Sequence, residues 1–244
     1  MTLTVKERLV LALDVDDGET ALGLVERLKE YVGVFKVGMQ LFTREGPEII
    51  RRIRERGSKV FYDAKYHDIP TTVSRAGRMA VGLGVYIYNV HTLGGYEMMV
   101  ETAQATRREA GKSGGEKPLI LGVTVLTHMN QEILKEVGIE RSLEEEVIHL
   151  AKLAQRAGLE GVVSSPREIR AIRAACGADF LILTPGIRPP WAEENDQRRR
   201  MTPGEAIKSG ADFLVVGRPI LQARDPVEAA QRILKEMEES IAKC

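Results

Sequence analysis

The sequence predicts an α/β fold of the (β/α)8 barrel class, built as a single domain over residues 1–244. Three observations predict it. Eight apolar runs of strand character alternate with eight helical blocks. The chain has 244 residues, close to the roughly 250 such a barrel needs. No linker or shift of composition divides it. A doubly wound open sheet is the main alternative, and the count of eight strands favours the barrel.

Leu9–Leu13 is a continuous apolar run closed by Asp14, the pattern of a parallel strand buried on both faces. Asp16-Asp17-Gly18-Glu19 supplies turn and cap chemistry for an amphipathic helix over Thr20–Tyr31. Leu22, Val25 and Leu28 recur there at helical spacing. Gly33–Gly38 is the second strand, with Lys36 inside it, and Glu45–Arg56 the second helix, ended by Gly57. Lys59–Ala64 is the third strand. Pro70 opens a helix to Leu83, with Thr71 and Thr72 in its first turn. Val85–His91 is the fourth strand, Gly94–Gly111 the fourth helix, and Lys112–Lys117 a solvated loop. Pro118–Val125 is the fifth strand. Residues 130–158 carry one or two helices, with Ser142 and Glu145 at capping-box spacing. Glu160–Val163, Phe180–Leu183 and Phe213–Val216 are strands six to eight. Helices follow at Pro166–Ala175, Thr202–Ser209 and Pro226–Ser240.

Composition narrows the function. With 35 basic and 35 acidic residues the formal net charge is +0, which gives no electrostatic reason to expect nucleic acid or an anionic membrane as partner. A small anionic substrate needs only one or two local cations. The hydrophobic fraction of 43% is enough for a sizeable core. Cys176 and Cys244 stand alone, so neither a disulfide framework nor a zinc site is expected. The first residues lack the apolar core of a signal peptide, and no window approaches 18 apolar residues. A cytoplasmic protein is expected.

Parallel barrels place their chemistry at the C-terminal ends of the strands. The polar residues expected there are Asp14, Lys36, Asp63 with Lys65 and Asp68, Asn89 with His91, Thr124 with Thr127, Ser164, Thr184 with Arg188, and Gly217-Arg218. Any one of them can be a strand simply ending in water. Two lysines and three aspartates converging from the first three strands are harder to explain that way. Charges at apolar strand ends are costly unless paired. An alternating Asp–Lys–Asp–Lys array meets that requirement, and it fixes an ammonium as a proton donor. The loops after strands seven and eight are the common phosphate site of this fold. Thr184-Pro185-Gly186-Ile187-Arg188, Gln197 and Gly217-Arg218 fall there, and glycine and guanidinium suit an anion. Arg198-Arg199-Arg200 reads as a solvated face; Trp191 can close over a ligand or cover a hydrophobic patch, with the patch favoured. His67 and His91 lack partners at metal-ligand spacing, which leaves them structural roles. His128 and His149 read as incidental. No GxGxxG, P-loop or nucleophile elbow is present.

These residues together resemble the orotidine 5′-phosphate decarboxylase family, bacterial type. The matching stretches run from Ala12-Leu13-Asp14 and Phe35–Gly38 through Asp63–Thr72, Asn89-Val90-His91 and Val123–Thr127. They continue through Thr184–Arg188 and Asn195-Asp196-Gln197 to Val215–Arg218, nearly the whole chain in order. The D-x-K-x-x-D spacing is shared with sister barrels acting on sugar phosphates; its continuation into Ile69-Pro70 and the later segments is more specific. Ala64 departs from the larger apolar residue usual in the family, which calls local packing into question.

The resemblance implies decarboxylation of orotidine 5′-phosphate to uridine 5′-phosphate without metal or organic cofactor, by a homodimer. It implies Lys65 as proton donor, Asp63 beside the departing carboxylate, and Asp68, with Thr72, completing the partner's site. Lys36 would link Asp63 to the ribose hydroxyls, with Asp14 also binding ribose. Thr127 would read the pyrimidine edge. Gln197, Gly217 and Arg218 would hold phosphate, helped by Arg188. A magnesium-dependent sugar-phosphate enzyme would need a further carboxylate near the first aspartate, and Glu45 and Glu48 fall in a helix instead. A non-catalytic nucleotide-binding barrel is the alternative of another class; the intact Asp63, Lys65 and Asp68 argue against it.

Overall fold

The computed structural model describes residues 3–192 and 201–242. Eight strands close into a barrel: β1 (Leu9–Ala12), β2 (Val34–Val37), β3 (Lys59–Tyr66), β4 (Ile87–His91), β5 (Leu119–Val123), β6 (Gly161–Val163), β7 (Leu181–Thr184) and β8 (Phe213–Val216). Each pairs in parallel with the next, and β8 pairs with β1. The helices are α1 (Val5–Arg8), α2 (Gly18–Leu28), α3 (Met39–Glu45), α4 (Glu48–Glu55), α5 (Pro70–Gly82) and α6 (Gly95–Ser113). They continue with α7 (Gln131–Glu136), α8 (Leu143–Arg156), α9 (Ile169–Cys176), α10 (Pro203–Ser209), α11 (Arg218–Leu221) and α12 (Pro226–Ile241). None of the described helices is long and apolar enough to cross a membrane.

Strand alternation divides the apolar residues into two cores. Val10, Val34, Phe61, Ile87, Leu121, Leu183 and Phe213 fill the barrel interior. Leu9, Leu11, Phe35, Val60, Ile182 and Leu214 face outward into the larger core beneath the helices. The same alternation aims Asp63, two residues beyond Phe61, inward. Ala64 is half-buried against the outer core, so its small side chain leaves the barrel interior unchanged.

The expected capping holds: Asp17 caps α2 through the Thr20 amide, and Ser142 and Glu145 form a reciprocal capping box at α8. Residues 130–158 form two helices, with Asn130 capping α7. The helix expected over Glu45–Arg56 begins later, as α4, and a separate helix, α3, precedes it. Gly46, at φ +64°, stops α3, and Pro47 starts α4; a proline disfavours helix in the residue before it and cannot donate to the preceding turn. The segment expected at Pro166–Ala175 opens as a 3-10 turn over Pro166–Glu168 before α9. β3 runs two residues past its expected end, to Tyr66.

Candidate active site

A cavity of about 310 Å³ opens at the C-terminal end of the barrel. Its wall includes Asp14, Lys36, Asp63, Lys65, Thr127, Arg188, Gly217 and Arg218. Asp14 follows β1, Lys36 lies in β2, and Asp63 and Lys65 lie in β3. Neighbouring strands therefore deliver the four charges side by side. Lys36 Nζ lies 3.0 Å from Asp14 Oδ1 and 3.4 Å from Asp63 Oδ2. Lys65 Nζ lies 2.6 Å from the other oxygen, Asp63 Oδ1. The order is Asp14–Lys36–Asp63–Lys65, with signs alternating. Gly38 leaves room for it: a Cβ there would lie 2.9 Å from Lys36 Nζ.

Lys36 and Asp63 are both buried, which a lone charge would not tolerate. Burial by itself pushes the Asp63 carboxyl up. The ammonium charges of Lys36 and Lys65, with hydrogen bonds from Lys65 and Asn89, overcome that and hold it below its ordinary value. Asp63 is therefore an anion at neutral pH.

The end of β3 is irregular. Tyr62 pairs with Tyr88 and Tyr66 with Val90, so three residues of β3 oppose Asn89 alone. Such bulges re-aim side chains. Within this one, Lys65 has φ +49°, the only positive φ among the described non-glycine residues. Backbone of this kind costs on the order of 1–3 kcal/mol and persists only where its surroundings hold it. Asn89 Oδ1 accepts the Lys65 backbone N–H at 2.7 Å, and Asn89 Nδ2 donates to Asp63 Oδ1 at 2.7 Å.

After β7 and β8, Arg188 and Arg218 flank Pro185, Gly186 and Gly217 on the cavity wall, and because β8 pairs with β1 this stretch adjoins Asp14. Arg188 is buried, and its backbone N–H donates to Met201 O at 3.0 Å beside an Ile187–Met201 bridge. Gln197, with Asn195, Asp196 and Arg198–Arg200, lies outside the described residues. Trp191 packs against the outer core with the Arg232 guanidinium 4.4 Å from its ring centre. His67 and His91 stack at 5.3 Å. Burial, with the charges of His67 and Lys65, pushes the His91 pKa down. Glu45 is turned to the start of α2, accepting the Gly18 N–H at 3.0 Å.

Two expected residues stay outside the cavity wall. Asp68 is exposed, and its Oδ1 accepts the Ile69 N–H at 2.7 Å. Thr72 is exposed in the first turn of α5.

Residues 7–233 match the family described as Orotidine 5′-phosphate decarboxylase / HUMPS. The chain is 56% identical over 237 residues to an orotidine 5′-phosphate decarboxylase of Syntrophotalea carbinolica, covering 97% of both. The chain belongs to the orotidine 5′-phosphate decarboxylase / HUMPS family. A second relative carrying the decarboxylase name, from Moorella thermoacetica, is 53% identical, with 96% of this chain and 93% of that one aligned. Among solved structures, the orotidine 5′-phosphate decarboxylase of Lactobacillus acidophilus superposes with a TM-score of 0.84 at 35% identity. The match covers 94% of this chain and 98% of that one.

Family membership and geometry meet at the charged array, and all four of its members are visible in the sequence as strand-end charges. Two parts of the site are not. The apolar wall (Val123, Val125, Val163, Leu183 and Ile187) is made of ordinary strand residues, and only closure of the barrel brings them to the cavity. The link from Asn89 to both Asp63 and Lys65 depends on the bulge, for which no glycine or proline in β3 gives a signal.

Proposed function

We propose that this chain is an orotidine 5′-phosphate decarboxylase, converting orotidine 5′-phosphate to uridine 5′-phosphate and carbon dioxide in de novo pyrimidine synthesis. The observation that carries the reading is the Lys65 ammonium, held 2.6 Å from an ionised Asp63 at the mouth of a cavity whose wall also bears two arginines. The relatives that share this chain over nearly its full length carry the same activity in their names.

The reaction breaks the bond between the pyrimidine ring and its carboxylate. The electron pair stays on the ring carbon, carbon dioxide leaves, and Lys65 Nζ delivers the proton that takes its place. A ring carbanion of this kind has no ordinary electron sink. The protein must supply stabilisation toward the upper part of the roughly 8–23 kcal/mol that enzymes achieve. A fixed ammonium at the developing charge does so without reorganising at the moment of reaction. Asp63 orients that ammonium and sets a negative charge beside the departing carboxylate. Lys36 and Asp14 hold the ribose hydroxyls, and Thr127 reads the pyrimidine edge. Arg218, Gly217 and Gln197 hold the phosphate, with Arg188 placing that wall. The phosphate is remote from the bond that breaks, so its binding energy is free to drive closure over the substrate. The protein acts in the cytoplasm, with neither metal nor organic cofactor.

The enzyme works as a homodimer in which Asp68 and Thr72 complete the partner's site. Among the described residues, Asp68 carries no partner across its own cavity. Around it, Met39, Ile69, Leu93 and Tyr96 are 64%, 66%, 45% and 46% exposed. They follow the consecutive strands β2, β3 and β4, so they share one side of the rim. Large exposed apolar side chains gathered beside polar ones mark an interaction surface, and the occupant in this reading is a second copy of the chain.

A spectrophotometric assay with orotidine 5′-phosphate tests the reading, because substrate and product absorb differently. Turnover that persists in EDTA is expected. No turnover, or turnover abolished by EDTA and restored by Mg²⁺, rejects it.

A further inference from the structure

Asn89 lies behind the cavity wall, in the middle of β4, and it is fully buried. It is the single residue of β4 opposite the three-residue bulge Asp63-Ala64-Lys65. Its amide has two ends, and each holds a different member of that bulge. The oxygen takes the backbone N–H of Lys65, the one described non-glycine residue at positive φ, and the nitrogen donates to the carboxylate that meets the Lys65 ammonium.

The chemistry suits an amide and little else. A carboxylate accepts but, ionised, does not donate; an ammonium donates but does not accept. A bulge removes regular ladder bonds, so a buried N–H inside it needs another acceptor. Lys65 has no glycine-like freedom to ease its backbone into this conformation. On the other side, Asp63 Oδ1 accepts from both Lys65 Nζ and Asn89 Nδ2, which leaves Oδ2 facing Lys36. Asn89 therefore fixes the rotation of the carboxylate as well as the turn of the backbone.

We propose that Asn89 is a positioning residue for the decarboxylation: it clamps the bulge of β3 so that the Lys65 ammonium and the Asp63 carboxylate meet in one arrangement. The role rests on the reading of Lys65 and Asp63 given above. Asn89 is not among the residues that line the cavity, so its removal should act on the chemical step and leave binding nearly intact.

The test uses Asn89→Leu, which keeps the branched skeleton and removes both polar ends of the amide, and Asn89→Asp, which keeps the acceptor and loses the donor when ionised. Misplacing a reacting group by about 1 Å costs on the order of 100-fold in rate, so kcat should fall by about that factor in both variants. KM for orotidine 5′-phosphate and the affinity for uridine 5′-phosphate should stay within about threefold of wild type, the signature of an interaction that matters in the transition state. In Asn89→Asp the loss should shrink as pH falls, because the protonated carboxyl regains a donor. A crystal structure of Asn89→Leu should show Lys65 out of the positive-φ region and its ammonium withdrawn from Asp63. Either variant with wild-type kcat overturns the proposal. So does a loss of uridine 5′-phosphate affinity parallel to the loss of kcat, or a pH-independent defect in Asn89→Asp. If Asn89→Leu does not fold, Asn89→Asp decides alone. If wild type itself does not turn over orotidine 5′-phosphate, the proposed function fails, while the Lys65 backbone and the Lys65–Asp63 separation in the variant structures still decide the clamp.

Discussion

Lys65 donates to Asp63 Oδ1 over 2.6 Å from a position two residues further along the same strand, with its backbone at φ +49°. The ammonium is thereby held by a carboxylate buried in the barrel mouth, and it lines the same cavity as Arg188 and Arg218. A surface lysine would hold its head loosely and lose much of its effect to water. Lys65→Ala removes both the proton and the charge. Turnover is expected to fall by at least the roughly 10²–10⁴-fold of a lost general acid. The affinity for uridine 5′-phosphate should remain within a few-fold. Single-turnover absorbance and calorimetric titration measure the two; a Lys65→Ala enzyme with near-normal turnover would remove Lys65 from its role.

Arg218 and Gly217 follow β8 directly and line the same cavity as that pair. A guanidinium reads phosphate through charge-assisted hydrogen bonds, each contributing about 1.5–3 kcal/mol. Arg218→Ala should therefore weaken uridine 5′-phosphate by about 10–100-fold, with uridine nearly unaffected. Parallel titrations with the two ligands check this. Equal losses for both would mean that Arg218 does not contact phosphate.

The charges of the site were legible in the sequence because a charge at the end of an apolar run is costly unless it is paired or put to use. Asp14, Lys36, Asp63 and Lys65 each close or interrupt such a run, and the barrel brings them together as expected. Local packing decides the features that the sequence hides. The four-residue helices α1 and α11 are too short to show a period. The bulge in β3 falls at Lys65, a residue type with no preference for positive φ, so only the pairing with β4 reveals it. Asp68 illustrates the opposite case. Its spacing from Lys65 is plain, yet within one chain it turns to its own neighbour, Ile69.

The depressed pKa of Asp63 sets a sign for stability against pH. A carboxyl whose folded value lies below its unfolded value stabilises the fold above the unfolded value. That contribution is lost as pH falls through the folded one. Asp63→Asn removes it and leaves Lys36 and Lys65 without the carboxylate between them. At pH 7 the variant should be less stable by about 3 kcal/mol, the lower end for breaking a buried pair. The difference should close as pH drops below the ordinary carboxyl value of 3.8. Urea unfolding of both proteins at neutral and acidic pH measures the gap. A difference that stays constant through the acid range would mean that Asp63 does not carry the depressed pKa.

The position of Asp68 makes the dimer testable through activity. If Asp68 of one protomer completes the site of the other, Lys65→Ala and Asp68→Ala damage different halves of a shared site. Each variant alone should be nearly inactive. Mixed in equal amounts and allowed to exchange subunits, they form heterodimers in which one site has lost both residues and the other has lost neither. Random pairing in a two-fold dimer makes half of the dimers mixed, so about a quarter of the wild-type sites should return. The exposed apolar rim at Met39, Ile69, Leu93 and Tyr96 predicts where association can be disrupted. Ile69→Asp should weaken association by placing an unpaired charge in the contact. Its turnover should then rise with protein concentration, as a site completed by the partner requires. Recovery in the mixture, read as turnover of orotidine 5′-phosphate over time, is the measurement. No recovery after demonstrated subunit exchange would place Asp68 in its own protomer's site or outside catalysis altogether.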